Sequence, residues 1–323
     1  MNSIRLLSAL VSLMFTALIV QAAQAASFPS RPVKIIVAFP PGGGPDPLAR
    51  IVAAGLEQRL GEPFVVENVP GANGAMAARN TIHGGPDGYT LLFADMTFIA
   101  SPHVTADFGV NPLKDFEPVG WVAASPFSLI TSSLLPAASV ADFIKLTKAN
   151  PDGILVGHAG IGTTPYLAAI SFTEAADIHP RLVGYKGVAD AMTNAMAGII
   201  SGVFSAGPAA ISASHNDKLK VLAVTGTKRM MQLPDVPTFG EGGIALRGFE
   251  SGAWFGLMAP AGTPEEILER INTALNDSTN DPTIQAKFLS AGAETKSGPP
   301  SDFGKLLIQQ DELWGRALTK DAH

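Results

Sequence analysis

The chain has 323 residues, 46% of them hydrophobic and 15% charged, which excludes a disordered chain and leaves room for two domains. Its formal charge is −6, with 22 Lys plus Arg against 28 Asp plus Glu and no basic run, which argues against a nucleic-acid partner. The absence of cysteine removes a disulfide framework, a Cys-ligated zinc, a Cys nucleophile and the lipid-bearing cysteine of a lipoprotein.

The first segment reads as a secretion signal. Arg5 supplies a positive start, Leu6 to Val20 is apolar, and Ala23-Gln24-Ala25 fits a small-residue cleavage site. The apolar run is short for a span of about 20 residues. Residues 1–25 are therefore expected to be removed, and a soluble chain to begin at Ala26 in the periplasm.

The mature chain alternates strand and helix patterns. Val33–Phe39 predicts a buried strand, and Leu48, Ile51, Val52, Leu56 and Leu60 recur at helical spacing up to Gly61, giving a helix over 47–60. Further strands are expected at Phe64–Glu67, Thr90–Phe93, Ile154–Val156, Arg181–Val183, Gly202–Phe204 and Leu219–Val224. Helices are expected at Val140–Ala149 and Ala189–Ala197. This alternation predicts an α/β fold with mainly parallel sheets. Apolar runs are interrupted at Ala124-Ser125-Pro126 and Thr225-Gly226-Thr227. If the chain crosses between lobes at both, residues 126–226 form one domain and residues 26–125 plus 227–323 the other, with a cleft between them.

Two turns carry candidate chemistry. In Phe39-Pro40-Pro41-Gly42-Gly43-Gly44-Pro45-Asp46, glycines between a strand and a helix allow close backbone approach to a ligand, and the helix start offers unpaired N–H groups. Asp46 stands where an N-cap belongs, ahead of Pro47. An ordinary strand-to-helix turn accounts for the same residues, and no Gly-Lys-Ser/Thr follows to make a P-loop. The second turn, Gly157-His158-Ala159-Gly160-Ile161-Gly162-Thr163-Thr164-Pro165, repeats that chemistry in the other expected domain. It lacks the third glycine of a dinucleotide fingerprint, and His158 alone reads as a structural or surface histidine. Together the turns could hold an anion through backbone donors. No G-x-S-x-G, H-E-x-x-H or histidine pair with metal spacing occurs, so neither an enzyme nor a cofactor or metal is indicated. Asp87, Asp95 and Asp115 read as turn or strand-end residues.

With these motifs in order, the sequence resembles the Bug (TctC-like) family, the substrate-binding proteins of tripartite tricarboxylate transporters. The resemblance runs from Phe28-Pro29-Ser30-Arg31-Pro32 to the helix with Trp314. Its carriers are Phe39-Pro40-Pro41-Gly42-Gly43 with Asp46, Val66-Glu67-Asn68, Pro70-Gly71-Ala72 and Pro86-Asp87-Gly88-Tyr89-Thr90-Leu91-Leu92. Asp115-Phe116, Tyr185-Lys186-Gly187, Leu233-Pro234-Asp235-Val236-Pro237-Thr238 and Ala259-Pro260-Ala261-Gly262-Thr263-Pro264 follow. The resemblance implies a two-domain type II periplasmic binding protein, a Venus flytrap with two crossing strands at the hinge. It implies a monomer that binds a small carboxylate, without catalysis, and serves membrane permease subunits. A ligand-sensing role beside a membrane sensor kinase would use the same cleft, and a secreted α/β hydrolase is the remaining alternative. The implied ligand-binding positions are Phe39, Pro41, Gly42, Gly43 and Asp46, then Met96 and Thr97 with their neighbours Asp95 and Phe98. Ala159, Gly160, Gly162, Thr163 and Thr164 follow, and Ser205 and Ala206 within Phe204–Pro208 complete the set.

The chain departs from that family at three places. Ser205 and Ala206 stand where relatives often carry Asp and Asn, Val69 replaces an Arg, and Gly184 replaces a Pro before Tyr185. Without a cleft carboxylate and amide, a distal ammonium lacks a partner, so an aromatic or simple aliphatic carboxylate is expected to bind better than aspartate or glutamate.

Overall fold

A computed structural model describes residues 28–42 and 44–320. The expected signal peptide and the candidate Gly43 lie outside the described residues. The strands are β1 (Val33–Val37), β2 (Phe64–Asn68), β3 (Thr90–Asp95), β4 (Phe116–Ser125), β5 (Phe127–Ser132), β6 (Leu155–His158), β7 (Arg181–Gly184), β8 (Gly202–Ala206), β9 (Leu219–Val224), β10 (Ala253–Pro260) and β11 (Glu294–Thr295). The helices are α1 (Asp46–Leu60), α2 (Ala75–His83), α3 (Met96–Ala100), α4 (Val140–Ala149), α5 (Thr164–Ala176), α6 (Val188–Met196), α7 (Gly207–Ser214), α8 (Glu265–Thr279), α9 (Pro282–Ser290) and α10 (Pro300–Lys320). No helix among the described residues is long and apolar enough to cross a membrane.

Two sheets organise these elements. A six-stranded sheet has the order β11-β4-β10-β3-β1-β2, and a five-stranded sheet the order β7-β6-β8-β5-β9. The expected α/β class holds, but the sheets are mixed rather than mainly parallel. β1 pairs in parallel with β2 and β3, and β6 with β7 and β8. β10 is antiparallel to both β3 and β4, and β5 to both β8 and β9. The difference has a topological cause. β4 and β5 follow one another across Pro126 into different sheets, and each runs against its new neighbours.

The chain passes from the larger sheet to the smaller one at Pro126. Pro126 has no N–H for a ladder bond, so β4 stops at Ser125 and β5 starts at Phe127. The return is longer. After β9, Thr225 and Phe127 exchange two hydrogen bonds, of 2.7 and 2.8 Å. Met230 and Leu233 then pack with Ile130 and Val203 of the five-stranded sheet. Phe239 sits on Phe172 and Phe204, at centroid distances of 5.5 and 6.1 Å. Phe249 reaches both Phe127 and Trp314, and Gly252, at φ 84°, leads into β10. A Cβ at Gly252 would lie 2.4 Å from the Ser125 carbonyl oxygen, so a side chain would push the two connections apart.

The cores follow this layout. β1 is buried except at Lys34, as expected of a strand flanked on both sides. α1 buries Leu48, Val52 and Leu56 against the outer face of the larger sheet, beside Ile271 and Leu275 of α8, and ends at Gly61 in the left-handed region. Each such aliphatic side chain contributes about 1.5–3 kcal/mol when fully buried. A single apolar cluster joins Leu92, Ile99 and Phe116 on the larger sheet's side to Leu129, Phe172 and Phe204 on the other. The two layers are therefore packed against each other, and their strand ends meet.

Candidate functional site

The first turn is held by one carboxylate. Asp46, with 4% of its side chain exposed, accepts the Gly42 N–H at 2.8 Å, the Asn68 amide at 2.8 Å and Arg50 Nε at 3.0 Å. Asn68 also donates to the Phe39 carbonyl at 2.9 Å, and Arg50 to Asn68 Oδ1 at 3.1 Å. Burial alone would raise the Asp46 carboxyl, but the bonds from Arg50, Gly42 and Asn68 outweigh it and hold the group below the usual carboxylate range. The helix begins one residue earlier than expected, with Pro45 at the cap position and Asp46 as its first residue. Asp46 therefore shapes the loop and has its acceptors engaged. Gly42, at φ 77°, needs the freedom of glycine, and its N–H is spent on Asp46. Pro41 is exposed, and Phe39 is half-buried with its ring 3.6 Å from where a Gly44 Cβ would stand.

The second turn leaves β6 and enters α5. Gly160 and Gly162 lie at φ 117° and 81°. The Thr163 hydroxyl donates to the Gly160 carbonyl at 2.6 Å and fastens the turn. The Gly160 N–H donates to His158 Nδ1 at 3.1 Å, which makes that nitrogen an acceptor and leaves the ring neutral with its proton on Nε2. Burial also pushes the His158 pKa down, and the ring packs against Tyr166 with centroids 4.9 Å apart. His158 is structural here. Ala159 is half-buried and Ile161 is 56% exposed.

This turn is tied to the opposite layer. Asn73, itself left-handed at φ 51°, donates to the Ile161 carbonyl at 3.2 Å. A Cβ at Gly162 would meet the Val104 side chain at 2.5 Å. The Thr164 N–H donates to Thr97 Oγ1 at 3.2 Å, and the two hydroxyls lie 3.1 Å apart. Asp95, 7% exposed, accepts from both hydroxyls, Thr97 at 3.1 Å and Thr164 at 3.3 Å. Burial pushes the Asp95 carboxyl up to about 6, against the lowering effect of those hydroxyls and of the Phe98 and Thr97 amides.

Of the sequence candidates, the structure gathers Thr97, Gly162 and Thr164 into one junction. Thr163 and Gly160 shape the turn beside it. The first turn lies next to this group through Gly74, whose Cβ would stand 3.5 Å from the Ala38 methyl. Met96 is fully buried, and Phe98 packs on Phe108 and Phe116, so both belong to the core. Phe204 is likewise core, stacked among Phe172 and Phe239. Ser205 is 5% exposed and stands opposite Ser128 in the β5–β8 pairing, while Ala206 is half-buried at the strand end. Gly207 follows, its N–H 3.3 Å from the Ser125 hydroxyl, which itself donates to the Gly292 carbonyl at 2.8 Å. Two surface cavities of about 330 and 470 Å³ flank β7, and neither is lined by residues of the two turns.

Sequence reading missed Asn68 and Arg50 as supports of the first turn, Asn73 as a cross-layer donor and Asp95 as the shared acceptor. A signal existed for Asp95: a lone charge ends the otherwise apolar run Leu91-Leu92-Phe93-Ala94.

Comparison with known proteins adds an independent finding. A family model described as "Tripartite tricarboxylate transporter family receptor" matches residues 48–322. A protein from the TAR-I ttuE-ttuC' intergenic region of Agrobacterium vitis is 34% identical over 266 residues, 82% of this chain and 76% of that protein. Protein BugT of Bordetella pertussis is 29% identical over 320 residues, 97% of this chain and 96% of its own. Among solved structures, periplasmic binding protein BugD superposes with a TM-score of 0.79 at 32% identity, covering 91% of this chain and 98% of that one. Rpa4515 of R. palustris, solved with adipate, gives 0.81 at 30% identity, covering 90% and 97%. MatC of Rhodopseudomonas palustris, solved with bound malate, gives 0.79 at 28% identity, covering 90% and 100%.

Proposed function

The chain belongs to the tripartite tricarboxylate transporter receptor family, a family of solute-binding proteins rather than enzymes with the two-domain periplasmic binding fold, and we propose that it captures a small carboxylate between its lobes and delivers it to the permease subunits of such a transporter. The observation that carries this reading is the cross-layer junction, where Thr97 and Asn73 from one layer engage Thr164 and Ile161 from the other. Glycine turns beside that junction can present backbone N–H groups to an anion without a lysine or arginine. The first helix turn adds its unpaired amides and dipole. Binding there favours the closed arrangement, because the ligand touches both lobes at once.

The lobes we propose are residues 28–125 with the C-terminal part, and the segment that starts at Pro126. The packing of Met230, Leu233 and Phe239 on the five-stranded sheet supports a second crossing between Leu246 and Gly252, rather than at residues 225–227 as expected from sequence. Export to the periplasm through a cleaved signal at residues 1–25 fits the family's setting. A monomer suffices, since the proposed site is built from one chain.

The ligand we favour carries one or two carboxylates and no ammonium. Ser205 and Ala206 supply no anionic partner, and Asp95 has its acceptors engaged by Thr97, Thr164 and nearby amides. Of the aromatic residues expected around the ligand, Phe98 and Phe204 lie in the cores and Phe39 alone stays half-buried at the first turn, which weakens the case for an aromatic tail. Relatives solved with malate and adipate make aliphatic dicarboxylates the first ligands to try. A thermal-shift series over malate, adipate, benzoate, aspartate and glutamate tests this, because a ligand that binds only the native state raises the melting temperature. A rise with the simple carboxylates above that with the amino acids is expected. The largest rise with aspartate or glutamate would refute the ligand class, and no rise with any of them would refute carboxylate capture.

A further inference from the structure

Asp95 lies where the two layers meet, beneath the start of α5. Both threonine hydroxyls that reach its Oδ2 come within 3.3 Å, one from each layer. An ionised carboxylate only accepts, so each hydroxyl proton goes to Asp95 or to the other hydroxyl, 3.1 Å away. The Thr97 oxygen in turn accepts from Thr164 N at 3.2 Å. In that state neither hydroxyl has a proton left for a ligand carboxylate, which leaves that task to backbone amides. Among the described residues, the hydrogen-bond partners of Asp95 are hydroxyls and amides, with no cation among them. Such a carboxylate is costly to ionise when covered, and α5 of the opposite layer is part of its cover.

We propose that Asp95 is the positioning residue of lobe closure: it gathers the hydroxyls of Thr97 and Thr164 from the two lobes into one junction, and that junction closes more readily when the carboxyl carries a proton. This rests on the two-lobed reading above, but its test needs no ligand, so failure here leaves carboxylate capture standing. The surrounding titratable groups are few. α3 and β10, which pack beside Asp95, contain none in their sequences. The turn and helix start that bring Thr164 carry His158, held neutral, and Tyr166, whose ring packs on it.

The direction follows from burial. Burial pushes the Asp95 carboxyl up to about 6 with the layers joined, and an opened cleft, by readmitting water, would move it back toward 3.8. The neutral form is thus favoured on closing, and the closed-to-open ratio rises as pH falls through 6. Between pH 8 and pH 5 this amounts to at most about tenfold. The chain has no cysteine, so spin labels can be placed cleanly at Lys114→Cys and Lys145→Cys, exposed positions on the two layers. Double electron–electron resonance on the ligand-free protein then reads the distance distribution at both pH values. The wild type should gain short distances at pH 5 by up to that factor. Asp95→Asn should change by less than about twofold. Thr164→Val, which removes the hydroxyl that reaches Asp95 from the other lobe, should shift toward long distances at pH 8. A wild-type distribution independent of pH overturns the proposal. So does a wild-type pH response in folded Asp95→Asn, which would move the effect to His158. Should Asp95→Asn fail to fold by circular dichroism, the other two samples still decide, because a Thr164→Val distribution equal to wild type also overturns it.

Discussion

Asp46 and Asp95 make an instructive pair. Each stands at a strand-to-helix connection, each is almost fully buried, and each gathers neighbouring donors. Asp46 has a guanidinium among its partners, and Arg50 keeps half of its own side chain in water. Among the described residues, Asp95 has hydroxyls and amides alone. One carboxyl is held below its ordinary range and the other is pushed up to about 6. The lesson concerns division of labour. A charge paired within one lobe makes a permanent scaffold, whereas an uncompensated charge at the meeting of two lobes makes a junction whose strength depends on conditions.

The sharpest way to break this comparison is pH. Because Asp95 has a raised folded pKa, it weakens the native state as pH rises from about 4 through 6, by up to about 3 kcal/mol for a shift of about two units. Asp46 has a lowered folded pKa, so its stabilisation is complete above its unfolded value of 3.8 and fades only as pH falls below that. Urea unfolding between pH 4.5 and 7.5 should therefore show wild type losing stability with rising pH and Asp95→Asn losing much less. Equal slopes would remove the distinction.

Next in size is the scaffold. Asp46→Ala removes bonds to Gly42, Asn68 and Arg50 and should cost about 2 kcal/mol at neutral pH, since bonds to a charged group are worth roughly 1.5–3 kcal/mol. Urea unfolding at pH 7.5 checks it, and a loss below about 0.5 kcal/mol would mean the first turn holds itself.

Gly160→Val comes third. Space exists for a side chain there, the nearest atom being Thr163 Cγ2 at 3.7 Å, but φ is 117°. The variant should fold with modest strain and bind adipate at least about tenfold more weakly, a gap of about 1.4 kcal/mol by calorimetry. Unchanged affinity would release the second turn from the site. The smallest effect is expected at Lys34→Gln, which breaks an exposed 3.0 Å pair with Glu67. That change should stay within about 0.5 kcal/mol in unfolding and leave adipate affinity alone.

Much of the fold was legible in the sequence because its signals are local. Apolar runs marked β1, β3 and β9, Gly61 marked the end of α1, and Pro126 marked the change of sheet between β4 and β5. The mixed strand directions were hidden, since pairing partners such as Phe255 and Asp95 lie far apart in the chain. The glycine turns were legible by composition, but what holds them was not. Asn68 reaches Asp46 across 22 positions and Thr164 reaches Asp95 across 69. Met96, Phe98 and Phe204 were read toward the cleft because strand-end residues face either way, and only packing assigns them to the core.

The central claim is that backbone donors of a junction between two layers receive a small carboxylate. Amide nitrogen–proton NMR of the labelled protein, titrated with adipate, tests it most directly. Saturable shifts should concentrate on the amides of Ile161 and Gly162 in one layer and on those of Gly44, Asp46 and Leu48 in the other. No shifts, or shifts confined to the cavity beside Tyr185 and Lys186, would contradict it.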